Sequence, residues 1–391
     1  MRKTQVIIVA GVIDTCYYDC GLLIGDDDDA ETMYVSYDKN NISVAQLSAD
    51  GLSEVRTQQV LTSGDVYIEV SHMYKINGYY WIIPTKVATG EWAYRSTSPW
   101  GPYEQREFFD LLPPPLTNAG WAHQGGMVET AAGDWYYMAF LDACPGGRIP
   151  VLAPIQWDAD GWPSIVTNSS GGWAPEYDVP PISTDKTVPL PIGLDTFTTF
   201  SQEWEWNHNP DASSWSLAEG GGLILKTVMI TDDLYAALNT LTHRIIGPKS
   251  EAIFEFDISQ MADGDRAGAA IFRDRSAYIG VQKSRETVSL LYVNGADLID
   301  WNWATASNGT VAVIYLKIAA NVTPVLDLDP VREAVLSYST DGSSCSQLGD
   351  PYLLVNTWSY FIGYRYAAFN YATQALGGQV TLKSFSMELV D

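Results

Sequence analysis

The stretch from Val66 to Ile83, VYIEVSHMYKINGYYWII, decides the fold class. It places aromatic and β-branched residues on both sides of Asn77-Gly78, and this arrangement predicts a β-hairpin with a two-residue turn. The first strand of the hairpin carries one carboxylate, Glu69. A glutamate on a strand is most often a solvent-exposed charge. Any chemical role of Glu69 must therefore come from the residues that surround it.

The composition favours an all-β protein. The 391 residues include 32 Gly and 20 Pro, which interrupt the sequence too often for long helices. Hydrophobic residues make up 46% of the chain and charged residues 18%, as is typical of a globular protein. The length is sufficient for two or three domains with hydrophobic cores of their own.

The charge excludes two classes of partner. The net charge of −25 repels nucleic acids and anionic membranes, whereas neutral sugars are compatible with it. The four cysteines are too few for a disulfide scaffold and lack the spacing of a metal site. Cys16 and Cys20 lie close enough in sequence for a local disulfide, and two unlinked thiols are the alternative.

The N-terminus and the sequons bear on localisation. The apolar run at residues 6–13 is at the short limit for a signal peptide and lacks a clear small-residue cleavage site, so it predicts a strand. We expect a secreted protein without a clear signal peptide in this chain, because its N-glycosylation sequons suit secretion. The sequons are at Asn41, Asn168, Asn308 and Asn321.

An internal repeat of roughly 50 residues occupies the first part of the chain, and this period is typical of propellers and solenoids. Its most recognisable strands begin at Thr32, Gly78 and Asp134. Each copy contains four strand patterns and therefore predicts a four-stranded blade. The three predicted units span about residues 16–62, 66–112 and 121–168.

The repeat also predicts where polar residues meet. The first strand of a blade lines the central channel, so Asp19, Glu69 and His123 are expected to converge on one axis. The acidic run at residues 26–29 follows the first of these strands. It lacks the alternating ligands and the terminal Glu of a calcium loop, and it predicts a solvated hairpin tip.

The second half of the chain has a different pattern. Residues 167–194 are rich in Gly, Ser and Pro and predict a linker. Residues 195–391 read as ten or more short strands without a helical period, which predicts a two-sheet sandwich of jelly-roll type. Four tryptophans fit either a sugar-binding face or strand packing. They are Trp204, Trp206, Trp301 and Trp303.

Several motifs together resemble glycoside hydrolase family 43. Asp19 in YDCGLL, Glu69 in IEVSHMYKINGYYW, and HQGGMVETAAGDWYYMAF followed by GGRIPVLAPIQWDADGWP resemble its propeller. The part that begins with DTF at Asp195 resembles the concanavalin-like β-sandwich of its β-xylosidases and α-L-arabinofuranosidases. The resemblance implies a propeller-type catalytic domain at residues 1–166 and a C-terminal sandwich at residues 195–391.

The resemblance also implies a reaction and the residues that perform it. The family hydrolyses xylo- or arabino-oligosaccharides with inversion, using a general acid and a general base. Glu69 matches the general acid, and Asp19 matches the carboxylate that orients the acid and raises its pKa. Arg148 and His123 match substrate-site residues. The resemblance implies that no cofactor is required. In relatives the matching histidine often lies near a calcium ion or a water cluster, so a structural calcium near His123 is possible.

One required group has no match in the sequence. The family's general base is an Asp in the first blade, and the matching region would lie before residue 1. We therefore expect an N-terminally truncated propeller with about three of five blades and impaired hydrolase activity in this chain. The alternative is a non-catalytic carbohydrate-binding protein or an inactive truncated product. In either case Asp19, Glu69, His123 and Arg148 are expected to line one pocket.

Overall fold

A computed structural model describes residues 17–26, 31–178, 180, 188–295, 312–326 and 331–391. Within these ranges the regular structure is entirely β-strand, which confirms the all-β prediction. No helix in the described ranges is long and apolar enough to cross a membrane. The chain divides into two compact units, Met1–Asp142 with Ile149–Asp185 and Ala143–Arg148 with Lys186–Asp391.

Some sequence predictions fall outside the described residues. They are the strand at residues 6–13, Cys16 with its alternative disulfide, residues 27–29 of the acidic run, Asn308, Trp301 and Trp303. Asp26, which begins the acidic run, has a mostly exposed side chain whose Oδ1 lies 3.1 Å from Lys75 Nζ.

The first unit contains three four-stranded antiparallel sheets, each made from consecutive strands. The first sheet consists of β1 (Gly21–Ile24), β2 (Met33–Tyr37), β3 (Ser43–Leu47) and β4 (Glu54–Gln59). The second consists of β5 (Ile68–Ile76), β6 (Tyr79–Lys86), β7 (Gly90–Ser96) and β8 (Glu104–Asp110). The third consists of β9 (His123–Glu129), β10 (Trp135–Asp142), β11 (Arg148–Trp157) and β12 (Pro163–Ile165). The three sheets coincide with the three predicted four-stranded units.

The hairpin predicted around Asn77-Gly78 forms as expected. Asn77 and Gly78 both have positive φ, 51° and 79°, as a two-residue turn of type I′ requires. The turn fixes the register of β5 on β6, with Ile76 opposite Tyr79. A β-bulge between Glu69 and Ser71 then changes the register near the start of β5.

Neighbouring sheets of the first unit share hydrophobic cores. Side chains of the first and second sheets form one cluster that includes Tyr34, Val44, Met73 and Ile82. The second and third sheets meet through aromatic rings, since Trp81 on β6 lies edge-on to Trp162 with ring centroids 5.3 Å apart. The strands that carry the candidate site residues are thus held by packing on both sides of the second sheet.

The first part of the predicted linker packs against the first unit. The Trp173 ring is 1% exposed and lies 6.0 Å from the Phe109 ring. The backbone N–H of Trp173 donates a hydrogen bond to the Pro113 carbonyl oxygen at 2.9 Å. This segment is therefore ordered by burial of its aromatic ring although its composition is that of a linker.

The second unit contains two antiparallel sheets. The nine-stranded sheet consists of β13 (Gly193–Asp195), β15 (Trp215–Leu217), β16 (Leu223–Lys226), β18 (Lys249–Asp257), β22 (Val313–Asn321), β23 (Glu333–Ser339), β24 (Ser346–Gln347), β25 (Tyr352–Leu353) and β27 (Gln379–Leu389). The six-stranded sheet consists of β14 (Trp204–Trp206), β17 (Leu241–Arg244), β19 (Asp265–Phe272), β20 (Ala277–Ser284), β21 (Thr287–Asn294) and β26 (Arg365–Ala372). One hydrophobic cluster draws buried residues from both sheets, which is how a sandwich is held together.

Two of the four tryptophans considered for sugar binding are part of this packing. Trp204 is 4% exposed and its ring lies 5.5 Å from the Phe197 ring. Trp206 is partly buried and stacks on Phe200 at 5.7 Å. Strand packing, the second of the two alternatives, is therefore the one that applies to Trp204 and Trp206.

Candidate active site

Asp19 and the strand of Glu69 are adjacent in the first unit. Cys20 forms a parallel bridge with Ser71, and the backbone N–H of Ser71 donates a hydrogen bond to the Asp19 carbonyl oxygen at 3.2 Å. Asp19 has a φ of 45°, a left-handed conformation that aspartate tolerates better than most residues. The start of the first sheet is thus joined to β5 directly after its bulge, beside Glu69.

Two tyrosine hydroxyls hold one oxygen of the Glu69 carboxyl group. Tyr67 donates a hydrogen bond to Glu69 Oε1 at 2.9 Å, and the Tyr18 hydroxyl lies 3.4 Å from the same oxygen. Desolvation and the nearby carboxylates of Asp19 and Glu69 raise the pKa of Tyr18 to about 12, so its hydroxyl stays a donor at neutral pH. Both hydrogen bonds orient the carboxyl group through Oε1.

The sequence reasoning missed both tyrosines. Tyr67 could have been found, because it directly precedes β5 and residues two apart in an extended segment point to the same face. Tyr18 comes from another sheet, and no short-range pattern connects it with Glu69.

Gly21 is required at the join between β1 and β5. A Cβ atom at this position would lie 2.3 Å from the Ser71 carbonyl oxygen and 2.8 Å from His72 Cα. Both neighbours are backbone atoms and cannot move aside by a rotamer change. Any side chain at residue 21 must therefore push β1 away from β5.

We expect Gly21→Ala to destabilise the first unit by about 1 to 3 kcal/mol, the usual cost of overpacking, and to separate Asp19 from Glu69. Chemical denaturation of the variant measures the first effect. Gly120→Ala is the matched control, because its Cβ would make a contact of 3.4 Å, within the ordinary range. Equal stability of the two variants would contradict this account of the join.

His123 begins β9 and is buried, with 5% of its surface exposed. Its Nδ1–H donates to the Trp121 carbonyl oxygen at 2.8 Å, and its Nε2 lies 3.8 Å from Asp142 Oδ2. The ring also packs edge-on to Phe140 at 4.6 Å. The bond from Nδ1 fixes the ring orientation and leaves Nε2 as the atom facing the carboxylate.

Arg148 belongs to the short segment that clusters with the second unit. Its backbone N–H donates to the Phe361 carbonyl oxygen at 2.8 Å, and its guanidinium carbon lies 3.6 Å from the centre of the Phe361 ring. This is the geometry of a cation–π contact. The described contacts therefore join Asp19 with the strand of Glu69, His123 with Asp142, and Arg148 with Phe361, and convergence of all four predicted residues stays a prediction.

The calcium suggested by relatives can be tested against the side chains near His123. Among the described residues no group of three or more His, Cys, Asp or Glu side chains could hold a metal ion. Calcium prefers six to eight oxygen ligands, and an imidazole beside the Asp142 carboxylate does not supply such a set. These residues do not fit a calcium site, and no step below involves one.

A buried carboxyl group that the sequence did not indicate lies next to this region. Glu91 on β7 is 1% exposed, and Thr85 Oγ1 donates to its Oε1 at 3.1 Å. Burial raises the pKa of Glu91 to about 8. Its strand, GEWAYRS, contains no motif that marks Glu91, so only the tertiary structure reveals that Glu91 is inside.

Two family models match the chain over most of its length. The model described as "Glycosyl hydrolases family 43" matches residues 5–163. The model described as "Beta xylosidase C-terminal Concanavalin A-like domain" matches residues 195–388. The two matches correspond to the three four-stranded sheets and to the two-sheet unit.

Solved and curated relatives agree with these matches. A solved structure of a GH43 glycoside hydrolase, engineered to display both endo-xylanase and exo-arabinofuranosidase activity, is 46% identical, with a TM-score of 0.86 over 96% of this chain and 75% of that one. A β-xylosidase of Formosa agariphila is 24% identical over 89% of this chain and 64% of its own length. A non-reducing end α-L-arabinofuranosidase of Bacteroides ovatus is 33% identical over 41% of this chain and 33% of its own length. The chain thus spans less than two thirds of these curated relatives.

Proposed function

The chain belongs to glycosyl hydrolase family 43, and from this we propose that the protein hydrolyses O-glycosidic bonds in saccharides derived from xylan or arabinoxylan. The proposed activity is that of an exo-acting, inverting β-xylosidase or α-L-arabinofuranosidase. The observation that carries the proposal is the backbone join of Asp19 to the Glu69 strand, because it brings the residue proposed to orient the acid to the strand of the proposed general acid.

In the proposed mechanism Glu69 is the general acid. Hydrogen bonds from Tyr67 and Tyr18 occupy Oε1, so the transferable proton resides on Oε2 and passes to the leaving oxygen as the glycosidic bond breaks. By the resemblance, Asp19 is proposed to orient the acid. The resemblance matches the family's general base to none of residues 1–391, and we assign that role to no residue here.

The remaining assignments rest on the same resemblance. We propose Arg148 and His123 as substrate-binding residues, supported by the fixed orientation of the His123 ring and of the Arg148 guanidinium. The three four-stranded sheets are proposed to be blades of the family's five-bladed propeller, and the second unit a jelly-roll-like sandwich. The proposed reaction uses only carboxyl groups and water, and it requires no cofactor.

We also propose that the protein is secreted. Of its described sequons, Asn41 is exposed and open to glycosylation. Asn168 is used within a turn, where its Oδ1 accepts hydrogen bonds from the backbone N–H groups of Ser170 and Gly172. Expression in a glycosylating host is expected to modify Asn41 in preference to Asn168, as peptide mass spectrometry would detect.

The test of function is an assay of the full-length protein on an aryl β-xyloside and an aryl α-L-arabinofuranoside. We expect turnover of at least one substrate at the impaired rate that the unmatched general base implies, and proton NMR during the first turnovers should show a product of inverted anomeric configuration. Binding of xylo-oligosaccharides without turnover of either substrate would instead support the alternative, a non-catalytic carbohydrate-binding protein. A product of retained configuration would contradict the proposed roles of Asp19 and Glu69.

A further inference from the structure

Side chains of the second sheet bind the backbone of the strand that begins with His123. Thr85 Oγ1 accepts a hydrogen bond from the N–H of Gln124 at 3.0 Å, and Glu91 Oε1 lies 3.4 Å from the N–H of Gly125. Tyr74 on β5 accepts a hydrogen bond from the N–H of Met127 at 2.9 Å. The edge of β9 is thus fixed to the second sheet by side chains, where a continuous sheet would use backbone pairs.

Two of these contacts lead directly to candidate site residues. Thr85 lies opposite Glu69 in the pairing of β5 with β6. Gln124 follows His123 and has a φ of 52°, a conformation that persists only where the surroundings hold it. A shift of the Thr85–Glu91 pair would therefore be transmitted to Glu69 on one side and to His123 on the other.

We propose that Glu91 is a positioning residue, which holds the strand of His123 in register with the strand of Glu69. This inference rests on the proposed function, since it assigns to Glu91 the geometry of that same site. Glu91 is 1% exposed, and its contacts with the two strands pass through Thr85 and Gly125. It acts on the substrate only through the residues that it positions.

Burial favours the neutral form of Glu91 and outweighs the hydrogen bonds from its neighbours, which favour the ionised form. The titratable side chains that face it are Tyr74 from β5 and Tyr137 from β10, and burial is the main cause that raises the pKa of each tyrosine. The Tyr137 hydroxyl accepts from the Gly125 N–H at 2.9 Å and hydrogen-bonds to Glu91. The Thr85 hydroxyl lies 3.1 Å from Glu91 Oε1 and 3.1 Å from the Gly90 carbonyl oxygen, and it can donate its proton to either acceptor. Ionisation of Glu91 would place a buried negative charge between the two strands, and the donors around it offset the cost of that burial only in part.

The test compares three variants of the full-length protein. Glu91→Gln keeps the size and the neutral state of the side chain, Glu91→Ala removes the contact, and Thr85→Val removes the bridging oxygen with little change of shape. Glu129→Ala is the control, because Glu129 is an exposed glutamate at the end of β9, the strand that contains residues 124 and 125. The readouts are amide hydrogen exchange at residues 124 and 125, and the dependence of kcat on pH.

We expect Glu91→Ala and Thr85→Val to lose exchange protection at residues 124 and 125 and to lower kcat by about 10²-fold, the cost of a misplacement of about 1 Å. Glu91→Gln should keep both properties and should retain activity above pH 8, where the unsubstituted protein loses it. The control should behave like the unsubstituted protein.

The remaining outcomes separate this inference from the proposed function. Unchanged protection in Glu91→Ala and Thr85→Val would overturn the positioning role whatever the activity. Lost protection with unchanged kcat would overturn it as well. If the unsubstituted protein turns over no substrate, the proposed function fails, and affinity for xylobiose measured by calorimetry then tests the positioning role. A loss of affinity of at least about tenfold in Glu91→Ala supports that role. Equal affinity of the two proteins, or absence of binding, overturns it.

Discussion

Glu69→Gln is expected to lower kcat on unactivated xylo- or arabino-oligosaccharides by about 10² to 10⁴-fold, the usual contribution of a general acid. The amide keeps the hydrogen bonds from Tyr67 and Tyr18 to one oxygen but has no acidic proton for the leaving group. Affinity for xylobiose should change little, because the substitution removes an interaction made mainly in the transition state. Steady-state kinetics and calorimetry of the same preparation measure the two quantities.

Comparing substrates with different leaving groups tests whether Glu69 acts as the general acid. A 2,4-dinitrophenyl glycoside departs without protonation, so its hydrolysis should be much less sensitive to Glu69→Gln than that of an oligosaccharide. Glu129→Gln, on an exposed glutamate of the same unit, is the control and should leave both rates unchanged. Equal losses on activated and unactivated substrates would show that Glu69 does not act as the acid.

The second large effect concerns the dependence of stability on pH. Burial raises the pKa of Glu91 from 4.5 to about 8 in the folded protein. Between these two values the unfolded chain has released the proton that the folded protein still holds. The contribution of Glu91 to the free energy of unfolding is therefore full below about pH 4.5, falls as pH rises, and is lost above about pH 8. The total change amounts to a few kcal/mol at most, at about 1.4 kcal/mol per pKa unit.

Glu91→Gln isolates this contribution, because glutamine does not titrate and keeps the shape of the neutral acid. The difference in unfolding free energy between variant and unsubstituted protein should shift in favour of the variant between pH 5 and pH 9. This difference is measured by denaturant titrations in which amide hydrogen exchange reports on the first unit. Titratable groups other than Glu91 contribute equally to both proteins, so their contributions cancel in the difference. Parallel stability curves would mean that Glu91 is ionised in the folded protein.

Much of the fold was readable from local sequence patterns. The Asn77-Gly78 pair predicted its hairpin correctly because a two-residue turn that needs two positive φ angles accepts few other residues. The three four-stranded units were readable because each is built from consecutive strands joined by turns. Alternation of apolar residues likewise marked the half-buried strand β18.

The sequence by itself determined the identities of the two candidate carboxylates, Asp19 and Glu69, through the motifs in which they stand. Only the tertiary structure decided which groups surround them. Tyr18 reaches Glu69 from another sheet, and Glu91 is buried by contacts with Thr85 and with a strand more than 30 residues away in sequence. The period of two along a strand tells which face a side chain occupies, but it does not tell which strand covers that face. The same limit left the roles of Trp204 and Trp206 open until the packing of the second unit showed them inside.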